Sequence, residues 1–251
     1  MTQGKPSILI TGCSSGFGLE TAKYFLERDW NVVATMRTPR EGLLPRSERL
    51  KLLALDVTDA ASIRRAVVET EPIDALVNNA GIGYLNAVEG TPMETAREIF
   101  ETNTLGTIAM TQAVLPQFRQ RRSGVVVNVT STVTLRPLHL LSVYTASKAA
   151  VNAFTESLAL ELEAFNVRAR LVLPGRAPET RFGENARSRM QTGVPEAYDD
   201  LAKSVLARWG QESAITRSID VAEAVWRAVN EPLCPMRLYA GADAVALAGA
   251  R

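Results

Sequence analysis

Cysteine and histidine are almost missing: the 251 residues hold two cysteines, Cys13 and Cys234, and one histidine, His139. Two distant cysteines make no disulfide framework, and a chain of this length buries a core without one, so a reducing compartment is expected. One histidine leaves too few ligands for a His/Cys centre, and no metal is expected. Charge of one sign is lacking as well, with 28 Lys+Arg against 27 Asp+Glu and a formal net charge of +1. That balance argues against nucleic-acid and anionic-membrane partners, which need clustered basic residues. No apolar run reaches the roughly 18 residues of a membrane span, and the stretch at 8–10 is too short for a secretory leader; the expected location is cytoplasmic. Repeats, low-complexity tracts and a Pro/Gly/Ser-rich linker are also absent, so residues 1–251 are expected to form a single domain.

What remains is the composition of an ordinary globular protein, 46% hydrophobic and 22% charged. Short β-rich runs at 7–11, 31–35, 50–55, 74–78, 125–129 and 168–173 alternate with helical patterns at 16–28, 60–70, 93–120, 142–165 and 221–229. Most of the runs are continuously apolar, as strands covered on both faces require. Repeated βα units predict an α/β fold, a Rossmann-type doubly wound parallel sheet with helices on both faces. The late stretch from Pro174 to about Gly193, rich in Pro and Gly, then turns helix-like through Trp209. A segment of about 175–215 after a strand end reads either as a substrate lid or as a surface excursion carrying a helix.

The run 7–11 leads into Gly12-Cys-Ser-Ser-Gly16-Phe-Gly18 and then a helical pattern. Strand, glycine turn and helix is the order of a dinucleotide site: Gly12 for the tight turn, Gly16 for backbone approach to a pyrophosphate, Gly18 for helix packing, with Ser14, Ser15 and Phe17 between. By itself the spacing fits a purely structural turn too. Where an NAD site places a carboxylate after the second strand, this chain has Ala34-Thr35-Met36-Arg37. Arg37 suits a 2′-phosphate, so NADP(H) is favoured over NAD(H). Asp56 and Val57 follow the third strand, where the carboxylate either meets an adenine amino group or caps a turn.

Tyr144 and Lys148 are four residues apart at the start of a helix and share a face. A tyrosine of ordinary pKa is a poor base, and a neighbouring ammonium together with a positive nicotinamide ring is expected to lower that pKa. Ser131 follows the run 125–129 at the same sheet edge. With Thr11-Gly-x-x-x-Gly-x-Gly18, Asn78-Asn-Ala-Gly81, Asn103 and Pro174-Gly175, this ordered set resembles the short-chain dehydrogenase/reductase family over nearly the whole chain. The resemblance implies Tyr144 as general acid/base, Ser131 orienting the substrate oxygen, Lys148 bonding the nicotinamide ribose, and Asn103 holding a water that relays protons to Lys148. It also implies cofactor contacts at Asn79, Ala80, Gly81, Pro174 and Gly175, with backbone contacts from Val172 and Leu173. Arg37 resembles the NADP-preferring hydroxysteroid and retinol dehydrogenase branches. One departure stands out: Thr180 lies five residues after Gly175 where the family commonly has Thr at four, which leaves its contact with the nicotinamide open.

His139 lies between Ser131 and Tyr144, in a loop that borders the substrate, and reads as a substrate contact or as a loop or interface residue. Val133, Leu135, Leu138, Leu141 and Val143, with Tyr84, Phe182, Met190 and Trp209, are candidates for a largely apolar pocket. The expected reaction is hydride transfer between the nicotinamide and a small-molecule carbonyl or alcohol. A non-catalytic NADP(H) sensor is the alternative of another class, against which the Ser131, Tyr144, Lys148 and Asn103 set counts. The helices at 93–120 and 142–165 resemble those that assemble family members into homodimers or homotetramers.

Overall fold

In the computed structural model, which describes residues 4–70, 72–180, 186, 193–211 and 214–250, seven parallel strands form one sheet. They are β1 (Ser7–Ile10), β2 (Asn31–Met36), β3 (Leu50–Ala54), β4 (Ala75–Asn78), β5 (Gly124–Val129), β6 (Val167–Pro174) and β7 (Arg237–Ala240), in the spatial order β3-β2-β1-β4-β5-β6-β7. The helices are α1 (Gly16–Leu26), α2 (Ala60–Glu69), α3 (Met93–Phe100), α4 (Gly106–Arg121), α5 (Ser142–Glu163), α6 (Asp199–Gln211), α7 (Ser218–Asn230) and α8 (Ala242–Gly249).

Successive strand residues point to opposite faces, and both faces are apolar. Ile8, Ile10, Val125 and Val127 meet Phe25 and Leu26 of α1 and Val221 and Val225 of α7. Leu9, Leu76 and Val126 meet Ile63 of α2, Met110, Val114 and Phe118 of α4, and Leu158 and Leu162 of α5. The sheet is therefore the doubly wound Rossmann-type layer that the alternating runs predict. From β1 the chain winds outward to β3, then crosses back to β4 on the other side of β1. The connections leaving β1 and β4 diverge, opening a crevice at the carboxyl ends of the strands.

β7, α8 and a π-helical turn differ from the sequence reading, whereas the helix expected after Gly193 is present as α6. β7 was not expected; it is four residues long, begins with an arginine that pairs with Glu156, and is held by its register with β6, Leu171 opposite Arg237. The pattern at 93–120 is α3 and α4 joined by a π-helical turn at Glu101–Leu105. The apolar period runs through this insertion without announcing it. In the late segment, a 3₁₀ turn at Glu196–Tyr198 leads into α6, whose Leu201, Ala202, Val205 and Trp209 pack with Leu85 and Leu140. The pocket candidates Phe182 and Met190 lie outside the described residues.

Candidate active site

Thr11 latches the turn after β1 to the turn after β4. Its hydroxyl oxygen accepts the N–H groups of Asn79 (3.0 Å) and Ala80 (2.9 Å). The Asn79 side-chain amide returns to the carbonyls of Thr11 (2.9 Å) and Gly12 (3.2 Å). Gly12 and Gly16 adopt φ of +75° and +57°, a region that penalises a side chain. A Cβ on Gly12 would also lie 2.8 Å from the Ala80 Cα. Ser15 stands at the N-cap of α1 without a side-chain cap bond, leaving the first-turn N–H groups in the state that receives an anion. Ser14 and Phe17 are half-buried in the same turn. Cys13 is enclosed there, and burial pushes its thiol up to about 12, so it is an inert structural residue.

Ser131, Tyr144 and Lys148 are brought together and buried. Ser131 follows the end of β5, while Tyr144 and Lys148 occupy the first two turns of α5. The Ser131 hydroxyl accepts the Val133 N–H (3.3 Å) and is hydrogen-bonded to the Tyr144 phenol. The Lys148 ammonium donates to the Val129 carbonyl (3.1 Å), tying α5 to the end of β5. A Cβ on Gly81 would lie 3.3 Å from Lys148 Nζ and 3.1 Å from Asn103 Oδ1, so both groups flank Gly81. Asn103, inside the π-helical turn, accepts the Ile82 N–H (2.8 Å) and donates to the Ile82 carbonyl (3.0 Å) and Ser147 Oγ (3.1 Å). Ser147 in turn donates to the Tyr144 carbonyl (2.7 Å).

Enclosure sets the electrostatics. Desolvation lowers Lys148 to about 8, because burial disfavours the ammonium. The same cause raises the Tyr144 pKa well above its ordinary value, opposed by the Ser131 hydrogen bond. The expected lowering of Tyr144 is thus corrected for the protein by itself, where loss of water sets the direction.

At the far end of the crevice, Arg37 is exposed just beyond β2. Asp56 Oδ1 accepts the backbone N–H (2.9 Å) and hydroxyl (2.7 Å) of Thr58, so it does cap its turn. Those bonds, with a smaller contribution from the Arg37 charge, hold its carboxyl below the usual range. Val57 is buried against Gly106, which is close enough to admit no side chain. Sequence reasoning missed Arg40, whose guanidinium donates to the Ser14 carbonyl (3.1 Å) on the glycine turn. Its only signal was a second arginine close behind the first.

Pro174 ends β6 and Gly175 follows it, near Ser131 because the Thr130 N–H donates to the Val172 carbonyl (2.8 Å). Thr180 sits over the glycine turn: a Cβ on Gly16 would be 3.4 Å from its methyl group. Of the pocket candidates, Tyr84 is buried beside Asn86, and Leu138, Leu141 and Val143 are half-buried. Leu135 is corrected to a core residue, packed with Leu171 and Leu173 under Leu247 of α8. His139 is exposed. A hollow of about 810 Å³ between α7, β7 and α8, lined by Arg217, Asp220, Arg227 and Tyr239, contains none of the candidate residues. Among the described residues no helix is long and apolar enough to cross a membrane, and no group of three or more His, Cys, Asp or Glu stands together as metal ligands would.

The short chain dehydrogenase family profile matches residues 6–191. The uncharacterized oxidoreductase YusZ of Bacillus subtilis (strain 168) is 37% identical over 224 residues, covering 83% of this chain and 80% of that protein. Estradiol 17-beta-dehydrogenase 1 of Rattus norvegicus is 34% identical over 251 residues, 92% of this chain and 72% of its own length. Among solved structures, the closed form of serine dehydrogenase complexed with NADP+ superposes with a TM-score of 0.80 at 28% identity, covering 94% of each chain.

Proposed function

Because the chain belongs to the short-chain dehydrogenase family, whose oxidoreductases use nicotinamide cofactors, we propose that it interconverts a ketone or aldehyde and an alcohol with NADP(H). The observation that carries this reading is the buried Ser131–Tyr144–Lys148 cluster at the carboxyl edge of the sheet, beside a glycine turn. The glycines fit the cofactor: Gly12 and Gly16 leave the turn's backbone without side chains, and Gly81 leaves space next to Lys148. Gly12 to Gly18 would hold the pyrophosphate, Arg37 the 2′-phosphate, Asp56, Val57 and residues 79–81 the adenosine side, and Lys148, Pro174, Gly175 and Thr180 the nicotinamide end. When bound, NADP(H) supplies the hydride.

In the protein by itself burial opposes the Tyr144 phenolate, which favours the protonated phenol that the reducing direction needs. Tyr144 therefore donates its phenol proton to the carbonyl oxygen in the reducing direction, while the Ser131 hydroxyl orients that oxygen. Lys148, lowered to about 8, gives up and regains a proton near neutrality more readily than an exposed lysine. Asn103 holds Ile82 and Ser147 in place around it and is read as the support for the relay water. The substrate is read as apolar, from half-buried Leu141 and Val143 just before Tyr144 in the chain and from the estradiol in the rat relative's name. Segment 175–215 is read as its lid, supported by the docking of α6 on Leu85 and Leu140. A single cytoplasmic domain assembling as a homodimer or homotetramer completes the reading, with exposed Leu160 on α5 in its support.

Paired titrations with NADPH and NADH, followed by NADPH oxidation against a panel of ketones and aldehydes, test it. Tighter NADPH binding with turnover is expected. Tyr144→Phe should lower turnover by about 10²–10⁴-fold while NADPH binding persists. Turnover retained in Tyr144→Phe removes the proton role, tighter NADH binding removes the Arg37 assignment, and binding without turnover across the panel favours the sensor.

A further inference from the structure

The end of β6 is gripped from a distant part of the chain. Asp243, in the first turn of α8, accepts the Arg176 N–H on Oδ2 at 2.6 Å. Its Oδ1 accepts the hydroxyl of Thr216 at 2.7 Å. Thr216 is fully buried, and its Oγ1 also accepts the Gly175 N–H at 2.8 Å. The Thr216 N–H closes the ring by donating to the Arg176 carbonyl at 2.8 Å. Two glycines make the grip sterically feasible: a Cβ on Gly175 would collide with the Asp243 carboxylate, and one on Gly241 with Thr216. One carboxylate thus joins the turn after β6, the segment before α7 and the start of α8. The Gly175 N–H also donates to the Ala240 carbonyl at 3.4 Å, next to the last β6–β7 pair, Pro174 opposite Ala240, whereas the Arg176 N–H and carbonyl are held by Asp243 and Thr216.

We propose that Asp243, acting through Thr216, is a positioning residue that sets the backbone of the Gly175–Arg176 turn for the nicotinamide half of the cofactor. The inference rests on the oxidoreductase reading, which assigns that turn to the nicotinamide end. Charge-assisted bonds to backbone N–H groups are short and directional, so they hold a turn more firmly than neutral ones. The turn is also the root of the segment that runs on to Thr180 over the glycine turn. Loss of the carboxylate frees that segment at its root while leaving the glycine turn, Arg37 and Asp56 untouched.

The test separates the two halves of the cofactor. NADPH binding is followed by its fluorescence, and adenosine 2′,5′-bisphosphate, which has no nicotinamide half, is titrated by calorimetry. Asp243→Ala is expected to weaken NADPH about tenfold and to leave the bisphosphate within about twofold of wild type. Asp243→Asn is expected to recover most of the NADPH affinity. Its amide oxygen still accepts the Arg176 N–H and its amide N–H meets Thr216 Oγ1, whose proton turns to the Ala240 carbonyl at 2.8 Å. Thr216→Val removes the hydroxyl at near-constant volume and carries the same test if Asp243→Ala does not fold; NADPH weakened with the bisphosphate unchanged is again expected. Equal affinities for both ligands in variant and wild type overturn the inference, as does a parallel loss of both ligands. A wild-type protein that binds the bisphosphate and NADPH isolates that failure to Asp243. One that binds neither NADPH nor NADH overturns the oxidoreductase reading, and the inference with it.

Discussion

Lys148 and Tyr144 share one enclosure, and desolvation drives their pKa values apart. For Lys148 the folded value of about 8 lies below the model-peptide 10.5, so between these the unfolded chain binds more protons than the folded one. Stability therefore rises with pH across that window, by up to about 1.4 kcal/mol per unit, and falls away as pH drops through 8. Tyr144 has the opposite sign: above pH 10 the unfolded phenol ionises while the folded one stays protonated, and stability declines. Urea unfolding at pH 7, 8.5 and 9.5 should show a rise for wild type, and Lys148→Met should lack it and be the more stable at pH 7. An equal pH slope in the two proteins would mean that Lys148 is not desolvated. The spacing of Tyr144 and Lys148 was legible in the sequence because a helix places i and i+4 on one face. The direction of the Tyr144 shift was not, since it depends on how much water the surrounding elements exclude.

At the scale of elements, the glycine turn and its helix are a strand-to-helix unit whose geometry is local, and residues 7–18 were read with nearly their observed boundaries. Gly18 shows how close the contact is: a Cβ there would lie 2.5 Å from both the Asn79 amide nitrogen and the Gly12 carbonyl oxygen. Gly18→Ala should push α1 from the turn, costing about 1–3 kcal/mol in stability and weakening NADPH severalfold. Thermal unfolding together with an NADPH titration checks it, and an unchanged affinity would place the pyrophosphate elsewhere. The π-helical turn holding Asn103 was hidden because inserting one residue changes the hydrogen-bond ladder and not the run of apolar residues. β7 was hidden for a different reason. Four residues with Arg237 and Tyr239 half-buried carry too little periodic signal, and only the exposed edge of β6 gives them a partner.

For the whole molecule, two apolar layers flank one sheet, and their large side chains set its cooperativity. Phe118 of α4 is fully buried and lies against Gly124 at the start of β5, where a Cβ would collide with its ring. Phe118→Ala should cost about 3–5 kcal/mol in urea unfolding while NADPH affinity stays within about twofold, because the ring is at the opposite end of the strands from the crevice. A coupled loss of affinity would show that core packing transmits to the site. The sequence by itself determined the alternation of strands and helices, the parallel sheet with both faces covered, and the placing of Gly12, Ser131, Tyr144 and Lys148 at the carboxyl edge of that sheet. Those follow from periodicities of two and 3.6 and from chemistry confined to a few neighbouring residues. Only the tertiary structure decided that Thr11 latches to Asn79, that Leu135 is core, and that Arg40 reaches Ser14. It alone decided that Asp243 and Thr216 hold the turn after β6. These contacts join residues far apart in the chain, and their partners exist only once the sheet has ordered its strands and the helices have closed over it.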